Sequence, residues 1–336
     1  MSEMTRPPEV DEKAIIEEAE KAVAKVAEAR AAVGKVIFGQ EDVVTNALTT
    51  ILAGGHAVLV GVPGLAKTKL VDTLGTVLGL SANRIQFTPD LMPSDILGSE
   101  ILDQDESGKR SFRFVKGPIF AQLLMADEIN RASPRTQSAL LQSMQEYHVT
   151  IAGERYDLPA PFHVLATQNP LEQEGTYPLP EAQLDRFLMQ IDVDYPDLES
   201  ERRILLATTG SAEDIATEAI SSEDLAGIQS LVRRMPVGES VVEAILGIVR
   251  AARPDEGNAE GAKAHIAWGP GPRASQALML TVRARALLDG RLAPSVDDVL
   301  ALAEPVLKHR MALNFAARAE GLTVRQIISD IKRAFV

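Results

Sequence analysis

Short apolar runs alternate with helical patterns of hydrophobic residues between residues 57 and 193. Short apolar runs bounded by turn residues favour buried strands, and the 3.6-residue periodicity between them favours helices. Strands that alternate with helices form a parallel sheet that is covered on both faces. The chain is therefore predicted to contain an α/β domain. Its candidate strands cover residues 57–60, 84–88, 122–126, 162–167 and 187–193.

Two segments interrupt this alternation. Between Ile101 and Val115, short extended runs flank a turn-rich stretch over 103–108. Between Tyr147 and Leu158, apolar residues alternate with polar ones before and after a second turn. Period-two alternation around turn residues is typical of antiparallel hairpins. We therefore expect two β-hairpins inserted into the α/β domain.

Helical patterns lie on both sides of the α/β segment. Hydrophobic residues recur at helical spacing over 11–33 and again over 41–53. No strand is predicted after about residue 196. The chain is thus expected to divide into an N-terminal helix (1–34), an α/β core (35–196) and an all-α domain (197–336). The later helical patterns cover residues 198–208, 222–234, 239–252, 273–289, 295–313 and 323–335.

The composition is that of a globular protein, with 46% hydrophobic and 24% charged residues among 336. The chain has no cysteine, so disulfides and thiolate metal sites are excluded. No apolar stretch approaches the roughly 20 residues that cross a bilayer. The first residues also lack the basic segment and apolar core of a signal peptide. We expect a cytoplasmic protein without a membrane span.

The charge balance bears on the partners. With 34 Lys and Arg against 47 Asp and Glu, the net charge is −13. Nucleic-acid binding depends on basic groups that neutralise phosphates, so an acidic chain disfavours broad affinity for DNA or RNA. Aromatic residues make up 4% of the chain, too few for a base-stacking platform. A local basic pore or loop is still compatible with this composition.

The segment after the first predicted strand carries the strongest chemical signal. It is followed by a helical stretch, and a glycine-bearing loop between a strand and a helix can surround a polyphosphate with backbone N–H groups. Lys67 would reach the β- and γ-phosphates, and the Thr68 hydroxyl would ligate Mg²⁺. Ala66 stands where the usual pattern has glycine, and an ordinary strand-to-helix turn is the alternative. The segment reads Gly61, Val62, Pro63, Gly64, Leu65, Ala66, Lys67, Thr68.

Two acids end the apolar run of residues 123–126, about sixty residues after the lysine. In a parallel sheet this position lies beside the phosphate loop. Asp127 would hold Mg²⁺ through water, and Glu128 would polarise the attacking water. The alternative is a pair of solvated acids at the end of a strand.

Two further polar residues follow the next strands. Asn169 comes after the run of residues 164–167 and could bond the γ-phosphate or orient the water, although Asn-Pro is also a plain turn signal. Arg186 lies at a helix-to-strand junction near the end of the α/β segment. Its guanidinium could stabilise a phosphoryl transition state, often across a subunit boundary, or form a surface salt bridge with Asp185.

These residues carry a family resemblance. Residues 61–68, Asp127, Glu128, Asn169 and Arg186 resemble the AAA+ ATPases in order and spacing. Four longer strings are similar to the MoxR branch, and the resemblance runs from about residue 35 to the C-terminus. They are QFTPDLMPSDI at 86–96, DEINRA at 127–132, ATQNP at 166–170 and LPEAQLDRF at 179–187.

The resemblance implies a P-loop AAA+ core with two inserted hairpins, followed by an all-α lid domain. The hairpins would be the helix-2 insert and the pre-sensor-1 hairpin of this branch. The strand-end amide Asn169 would be sensor 1, and Arg186 the arginine finger that acts on a neighbouring subunit. Arg273 matches sensor 2 at the start of a lid helix, with its action in cis or in trans left open.

The resemblance also implies a place for the adenine. Ile37, Phe38, Gly39 and Gln40 would lie beside it, just before the second helix. Ala66 is familiar at this position of the MoxR branch. Arg131, next to the acidic pair, either contacts a neighbouring subunit or is a solvated arginine at a helix start.

The function implied is an Mg²⁺-dependent ATPase that forms a homo-oligomeric ring, expected to be a hexamer, and remodels a protein client. MoxR relatives commonly work with a von Willebrand factor A-domain partner in the maturation or metal insertion of an enzyme complex. Two alternatives are a nucleic-acid-directed motor and a nucleotide-gated scaffold with little turnover. A GTPase is disfavoured because no Asn-Lys-x-Asp motif occurs in the sequence.

Overall fold

A computed structural model describes residues 12–104, 110–172, 175–209, 215–254 and 264–335. Its centre is a five-stranded parallel sheet in the order β2-β5-β8-β1-β9. All five predicted sheet strands are confirmed, with small shifts of their ends. The sheet strands are β1 (Ala57–Val60), β2 (Ala82–Gln86), β5 (Leu123–Asp127), β8 (His163–Gln168) and β9 (Met189–Asp192).

Successive residues of the central strands are buried in two different apolar clusters, one on each face of the sheet. Leu59 and Leu165 belong to one cluster, whereas Val58 and Val164 belong to the other. Because successive side chains of a strand point to opposite faces, both faces of the sheet are covered. This burial explains why the strands appear in the sequence as short continuous apolar runs.

Helices cover the sheet and continue in the region that follows it. The first three are α1 (Glu12–Gly34), α2 (Glu41–Leu52) and α3 (Lys67–Val77), and α1 packs against both of the others. The remaining helices of the α/β region are α4 (Pro93–Leu97), α5 (Pro134–Glu146) and α6 (Glu181–Leu184). Within the described residues, those that follow the sheet are α7 (Leu198–Thr209), α8 (Ser222–Arg234), α9 (Glu239–Ala251), α10 (Pro272–Leu288), α11 (Val296–Leu307), α12 (Phe315–Ala319) and α13 (Val324–Arg333).

Both predicted hairpins are present. The first pairs β3 (Gly98–Gln104) with β4 (Arg110–Lys116), and the second pairs β6 (His148–Ile151) with β7 (Glu154–Asp157). Part of the first predicted turn, over 105–109, lies outside the described residues. The rings of Phe114 and Tyr156 lie 4.2 Å apart between centroids, so the two hairpins contact each other.

The lid region is helical, as predicted, with one small difference. Two short strands, β10 (Ile266–Trp268) and β11 (Ala312–Leu313), pair antiparallel after residue 196, where no strand was expected. The helix predicted over 295–313 correspondingly ends at Leu307 and gives way to a 3₁₀ turn. Strands this short leave no periodicity in a sequence, which is why the pattern did not reveal them.

No helix in the described part of the chain is long and apolar enough to cross a membrane.

Candidate functional site

The loop predicted as a phosphate cradle joins β1 to α3 in a tight backbone path. A Cβ on Gly61 would lie 2.5 Å from the carbonyl oxygen of Val193, so the close approach requires glycine. Gly64 and Ala66 both adopt positive φ, at +86° and +55°. A left-handed conformation costs an L-residue about 1–2 kcal/mol. Ala66 therefore holds a strained conformation that glycine would adopt without penalty.

Lys67, the first residue of α3, turns its ammonium back onto this loop. Its Nζ donates to the carbonyl oxygens of Gly61 at 2.8 Å and Val62 at 2.7 Å. Burial lowers the pKa of Lys67, and the charges of Asp127 and Glu128 act in the opposite direction. Both carboxylates therefore lie within Coulombic reach of the lysine, as the sequence predicted.

A cavity of about 310 Å³ opens beside the cradle. Ile37, Phe38 and Gln40 line it, so three of the four residues expected near adenine border this space. The Gln40 amide donates to the carbonyl oxygen of Leu65 at 3.2 Å. Its Oε1 is buried and has no hydrogen-bond partner within the described residues, which leaves an acceptor for a ligand. The cradle contributes Pro63, Gly64, Leu65 and Ala66 to the wall.

Gly39 fits closely against helix α7. It has a φ of +66°, and a Cβ there would lie 2.2 Å from the Cβ of Ser200. Helix α7 also carries Ile204, which lines the cavity together with Tyr195 just before the helix. Sequence reasoning assigned no role to Ser200, Tyr195 or Ile204, because nothing in the periodicity of α7 indicates which neighbour it covers.

Asp127 ends β5 and is held on both carboxylate oxygens. The Thr167 hydroxyl donates to Oδ1 at 2.5 Å, and Arg84 on β2 donates to Oδ2 from Nη2 at 2.5 Å and from Nε at 3.2 Å. Arg84 and Thr167 were missed as site residues. Their contacts depend on the pairing of β2 and β8 with β5, which the sequence does not reveal.

Glu128 lies one residue beyond the strand in a left-handed conformation, with a φ of +55°. Its N–H donates to the Thr167 hydroxyl at 2.8 Å. Its Oε2 accepts hydrogen bonds from Gln86 at 2.7 Å and from Arg131 at 2.8 Å. Arg131 thus pairs with Glu128 in its own subunit, a contact that neither sequence interpretation of this arginine included.

The donor set suits Mg²⁺. The Thr68 hydroxyl and the Asp127 carboxylate are hard oxygen ligands, which Mg²⁺ prefers together with substrate phosphates. Asp127 and Lys67 are close enough for the carboxylate to influence the pKa of the amine. Thr68 and Asp127 are therefore the residues that would hold the ion.

Asn169 follows β8, the strand that lies between β1 and β5. The carboxyl ends of parallel strands meet at one edge of a sheet, so Asn169 shares that edge with the cradle and the acids. Its side chain is buried, and its Oδ1 accepts the N–H of Leu171 at 3.1 Å. This bond fixes the orientation of the amide.

Arg186 and Arg273 lie elsewhere, in a second cavity of about 280 Å³. Arg186 donates to the carbonyl oxygen of Leu141 at 2.7 Å, and Arg273 lies 3.4 Å from Asp185. Neither arginine lines the cavity beside the cradle. The structure thus brings these two predicted residues together with each other but not with the phosphate loop.

The strand order, the loop after β1 and the acids after β5 define a P-loop nucleotide-binding protein. The family described as "ATPase family associated with various cellular activities (AAA)" matches residues 56–189. A family described as the AAA lid domain matches residues 258–331.

Similar proteins identify the branch of the P-loop nucleotide-binding proteins to which the chain belongs. Chaperone MoxR1 of Mycobacterium tuberculosis is 42% identical over 89% of this chain and 78% of its own length. Protein MoxR of Paracoccus denitrificans is 32% identical over 89% of this chain and 92% of its own length. A crystal structure of a candidate ATPase from Cytophaga hutchinsonii superposes with a TM-score of 0.88 and 41% identity, covering 96% of this chain and 97% of that one. The chain belongs to the MoxR family of AAA+ ATPases.

Proposed function

We propose that the protein is an Mg²⁺-dependent ATP hydrolase whose active site is completed by a second copy of the chain. One observation carries this proposal. The cradle borders one cavity, whereas Arg186 and Arg273 line another. Arginines that stabilise a phosphoryl transition state must contact the transferring phosphate, and these two do not reach their own cradle. In an assembly, they would contact the phosphate that is bound in the cradle of a neighbouring copy.

Each side chain then has a distinct task. The loop N–H groups and Lys67 bind the phosphates, and Lys67 exchanges its carbonyl contacts for phosphate oxygens. Glu128 accepts the proton of the attacking water, after releasing Gln86 and Arg131. Asn169 orients that water through its amide. Mg²⁺ on Thr68 and Asp127 would neutralise charge on the phosphate oxygens.

The arginines act in trans in this scheme. Arg186 and Arg273 line the same cavity, and so present their charge to the same neighbour. An interface in which one surface meets a different surface of the next copy is head-to-tail, and such interfaces form a ring when the rotation between copies closes. We propose a homo-oligomeric ring with Arg273 acting in trans beside Arg186, and a hexamer as its size.

The client is proposed to be a protein. The relative named Chaperone MoxR1 supports this class of client. A von Willebrand factor A-domain partner and a role in metal insertion rest on family resemblance and stay proposals. The cytoplasmic location and the division of the chain at residues 34 and 196 also stay predictions from the sequence.

Glu128→Gln tests the hydrolysis step. The substitution keeps the size of the side chain and removes the base, so phosphate release should fall by about 10²–10⁴-fold, while a fluorescent ATP analogue still binds. Glu18→Gln is the matched control, because Glu18 pairs only with Arg234 on the surface among the described residues. It should leave the rate unchanged. A Glu128→Gln protein with the wild-type rate would contradict the proposal.

The same variant tests for a client. With hydrolysis blocked, the ATP-bound protein should hold its client long enough for recovery from a cell extract. The comparison is Glu128→Gln with ATP against the same protein with ADP. Recovery of the same proteins in both nucleotide states would argue against ATP-driven remodelling.

A further inference from the structure

Arg310 is a fully buried arginine that joins the lid to the segment carrying Arg186. It lies in the 3₁₀ turn after α11, and 2% of its surface is exposed. Its Nε donates to the Asp185 carboxylate at 2.8 Å. Its two Nη atoms donate to backbone carbonyl oxygens of the same segment. These are the oxygens of Asp185 at 3.1 Å, Phe187 at 2.6 Å and Leu188 at 3.2 Å.

The remaining contacts of Arg310 lie within the lid. Its Nη1 donates to the carbonyl oxygen of Val306 at 2.5 Å and lies 2.8 Å from the Nε2 of His309. Every N–H of the guanidinium therefore has an acceptor. A buried charge is costly unless it is paired and fully hydrogen-bonded, so this geometry tolerates little displacement. Lysine, with a single ammonium, cannot reproduce the planar fork.

These contacts surround Arg186 on both sides along the chain. Arg310 holds the residue before it and the two residues after it, while the Arg186 side chain itself points to Leu141. His309 adds a second lid contact, with its Nε2 at 3.0 Å from the Phe187 carbonyl oxygen. The backbone at Arg186 is thus fixed by the lid as well as by the sheet.

We infer that Arg310 is a positioning residue for Arg186. By holding residues 185–188, the lid sets the place from which Arg186 reaches the nucleotide of the next subunit. This inference rests on the proposed trans-acting role of Arg186. It adds that the lid of one subunit controls catalysis in its neighbour.

These contacts connect the nucleotide site of one subunit to the nucleotide site of the next. Helix α7, which leads into the lid, lines the cavity beside the cradle through Ile204. The lid in turn holds residues 185–188 through Arg310. A lid that moves when nucleotide enters its own subunit would therefore shift Arg186 at the neighbouring one.

A mixing experiment tests this directly. Arg186→Ala subunits keep their own cradle and lack the arginine, whereas Glu128→Gln subunits lack the base and keep the arginine. In a mixed ring, an active site forms where the cradle and Glu128 of an Arg186→Ala subunit meet Arg186 of a neighbouring Glu128→Gln subunit. The Glu128→Gln subunit is therefore called the donor of the arginine. The test replaces the donor with the double variant E128Q/R310K. Its rescue of Arg186→Ala should fall about tenfold or more, since small misplacement of a catalytic group costs about 10–100-fold.

The matched control is the donor E128Q/R325K. Arg325 also joins the lid to the sheet region, through Asp192 at 2.9 Å, and it does not contact residues 185–188. Its rescue should stay within about twofold of the simple donor, as expected for an exposed ion pair. Circular dichroism and binding of a fluorescent ATP analogue establish that each donor is folded and that its own nucleotide affinity is unchanged.

The outcomes separate the two proposals. Full rescue by E128Q/R310K, when E128Q also rescues, overturns the role of Arg310 and leaves the shared site intact. No rescue by E128Q itself overturns the shared site, and the positioning role with it. If the Arg310→Lys substitution prevents folding, E128Q/D185N removes the carboxylate contact of Arg310 together with the 3.4 Å pair between Asp185 and Arg273, and its rescue should be reduced as well. Full rescue by that donor would equally overturn the inference.

Discussion

The guanidinium of Arg84 lies 2.5 Å from Oδ2 of Asp127, the carboxylate proposed for Mg²⁺. The second carboxylate oxygen accepts the Thr167 hydroxyl. Asp127 is thus already satisfied by the protein, and a metal ion that contacts Oδ2 must compete with the arginine. The proposed magnesium site therefore contains its own competing cation.

Arg84→Ala should lower the Mg²⁺ concentration needed for tight nucleotide binding. The arginine side chain is about half exposed, so its hold on the carboxylate is worth about 1 kcal/mol, or about fivefold in the half-saturating Mg²⁺ concentration. An Mg²⁺ titration of fluorescent ADP binding measures this. Arg113→Ala, which breaks an exposed pair with Asp103, is the control. An increased Mg²⁺ requirement in Arg84→Ala would show that the arginine supports the site instead.

Ala66→Gly should stabilise the protein. The substitution removes the left-handed strain of an L-residue, about 1–2 kcal/mol, and costs part of that gain through the greater freedom of glycine in the unfolded chain. We expect the free energy of unfolding to rise by about 0.5–1 kcal/mol, measured by urea denaturation. Ala301→Gly, inside helix α11, should lower it by about 1 kcal/mol. A loss of stability in Ala66→Gly would contradict the strain assigned to the cradle.

Gly39→Ala should weaken nucleotide binding. The new Cβ would lie 2.2 Å from the Cβ of Ser200, so α7 must move away from the cavity beside the cradle. Strain of about 1–2 kcal/mol corresponds to about tenfold in affinity if binding must restore the original geometry. Gly34→Ala, where a Cβ meets no atom within 4 Å, should bind normally. Equal affinities of the two variants, measured with a fluorescent ATP analogue, would exclude this role for Gly39.

Two buried histidines should make the protein sensitive to acid. Burial lowers the pKa of His56 to about 3, with the charge of His163 acting in the same direction, and burial lowers the pKa of His163 to about 4. Below pH 6.5 the unfolded chain binds protons that the native chain does not. The free energy of unfolding should therefore fall between about pH 6.5 and 4, by up to about 1.4 kcal/mol per pH unit for each histidine.

The test compares the free energy of unfolding at about pH 7.5 with that at about pH 5.5. Urea denaturation measures it, with the fluorescence of Trp268 as the signal. His163→Gln should reduce the loss of stability between the two pH values. His163 contacts the Gly55 carbonyl oxygen and Gln229, which links the sheet to helix α8. A pH dependence identical to that of the wild type would mean that His163 does not titrate as described.

The sequence predicted the parts of the site that short motifs encode. Lys67, Asp127 and Asn169 follow apolar strands, and parallel strands bring their carboxyl ends to one edge of the sheet. Arg84 escaped notice because its contact with Asp127 depends on strand order, which the sequence does not state. Arg310 escaped because a buried arginine between lid and core looks like a surface arginine in a helical pattern. Side chains that join distant segments depend on tertiary packing and leave no local signal.

The central claim, a hydrolytic site shared between two copies of the chain, is tested most directly by the ATPase rate of a mixture. Arg186→Ala and Glu128→Gln proteins should each be nearly inactive alone. Mixed in equal amounts, they should recover about one quarter of the wild-type rate, because that fraction of head-to-tail interfaces in a random ring joins an intact cradle to an intact arginine. A mixture no more active than its parents would contradict the account.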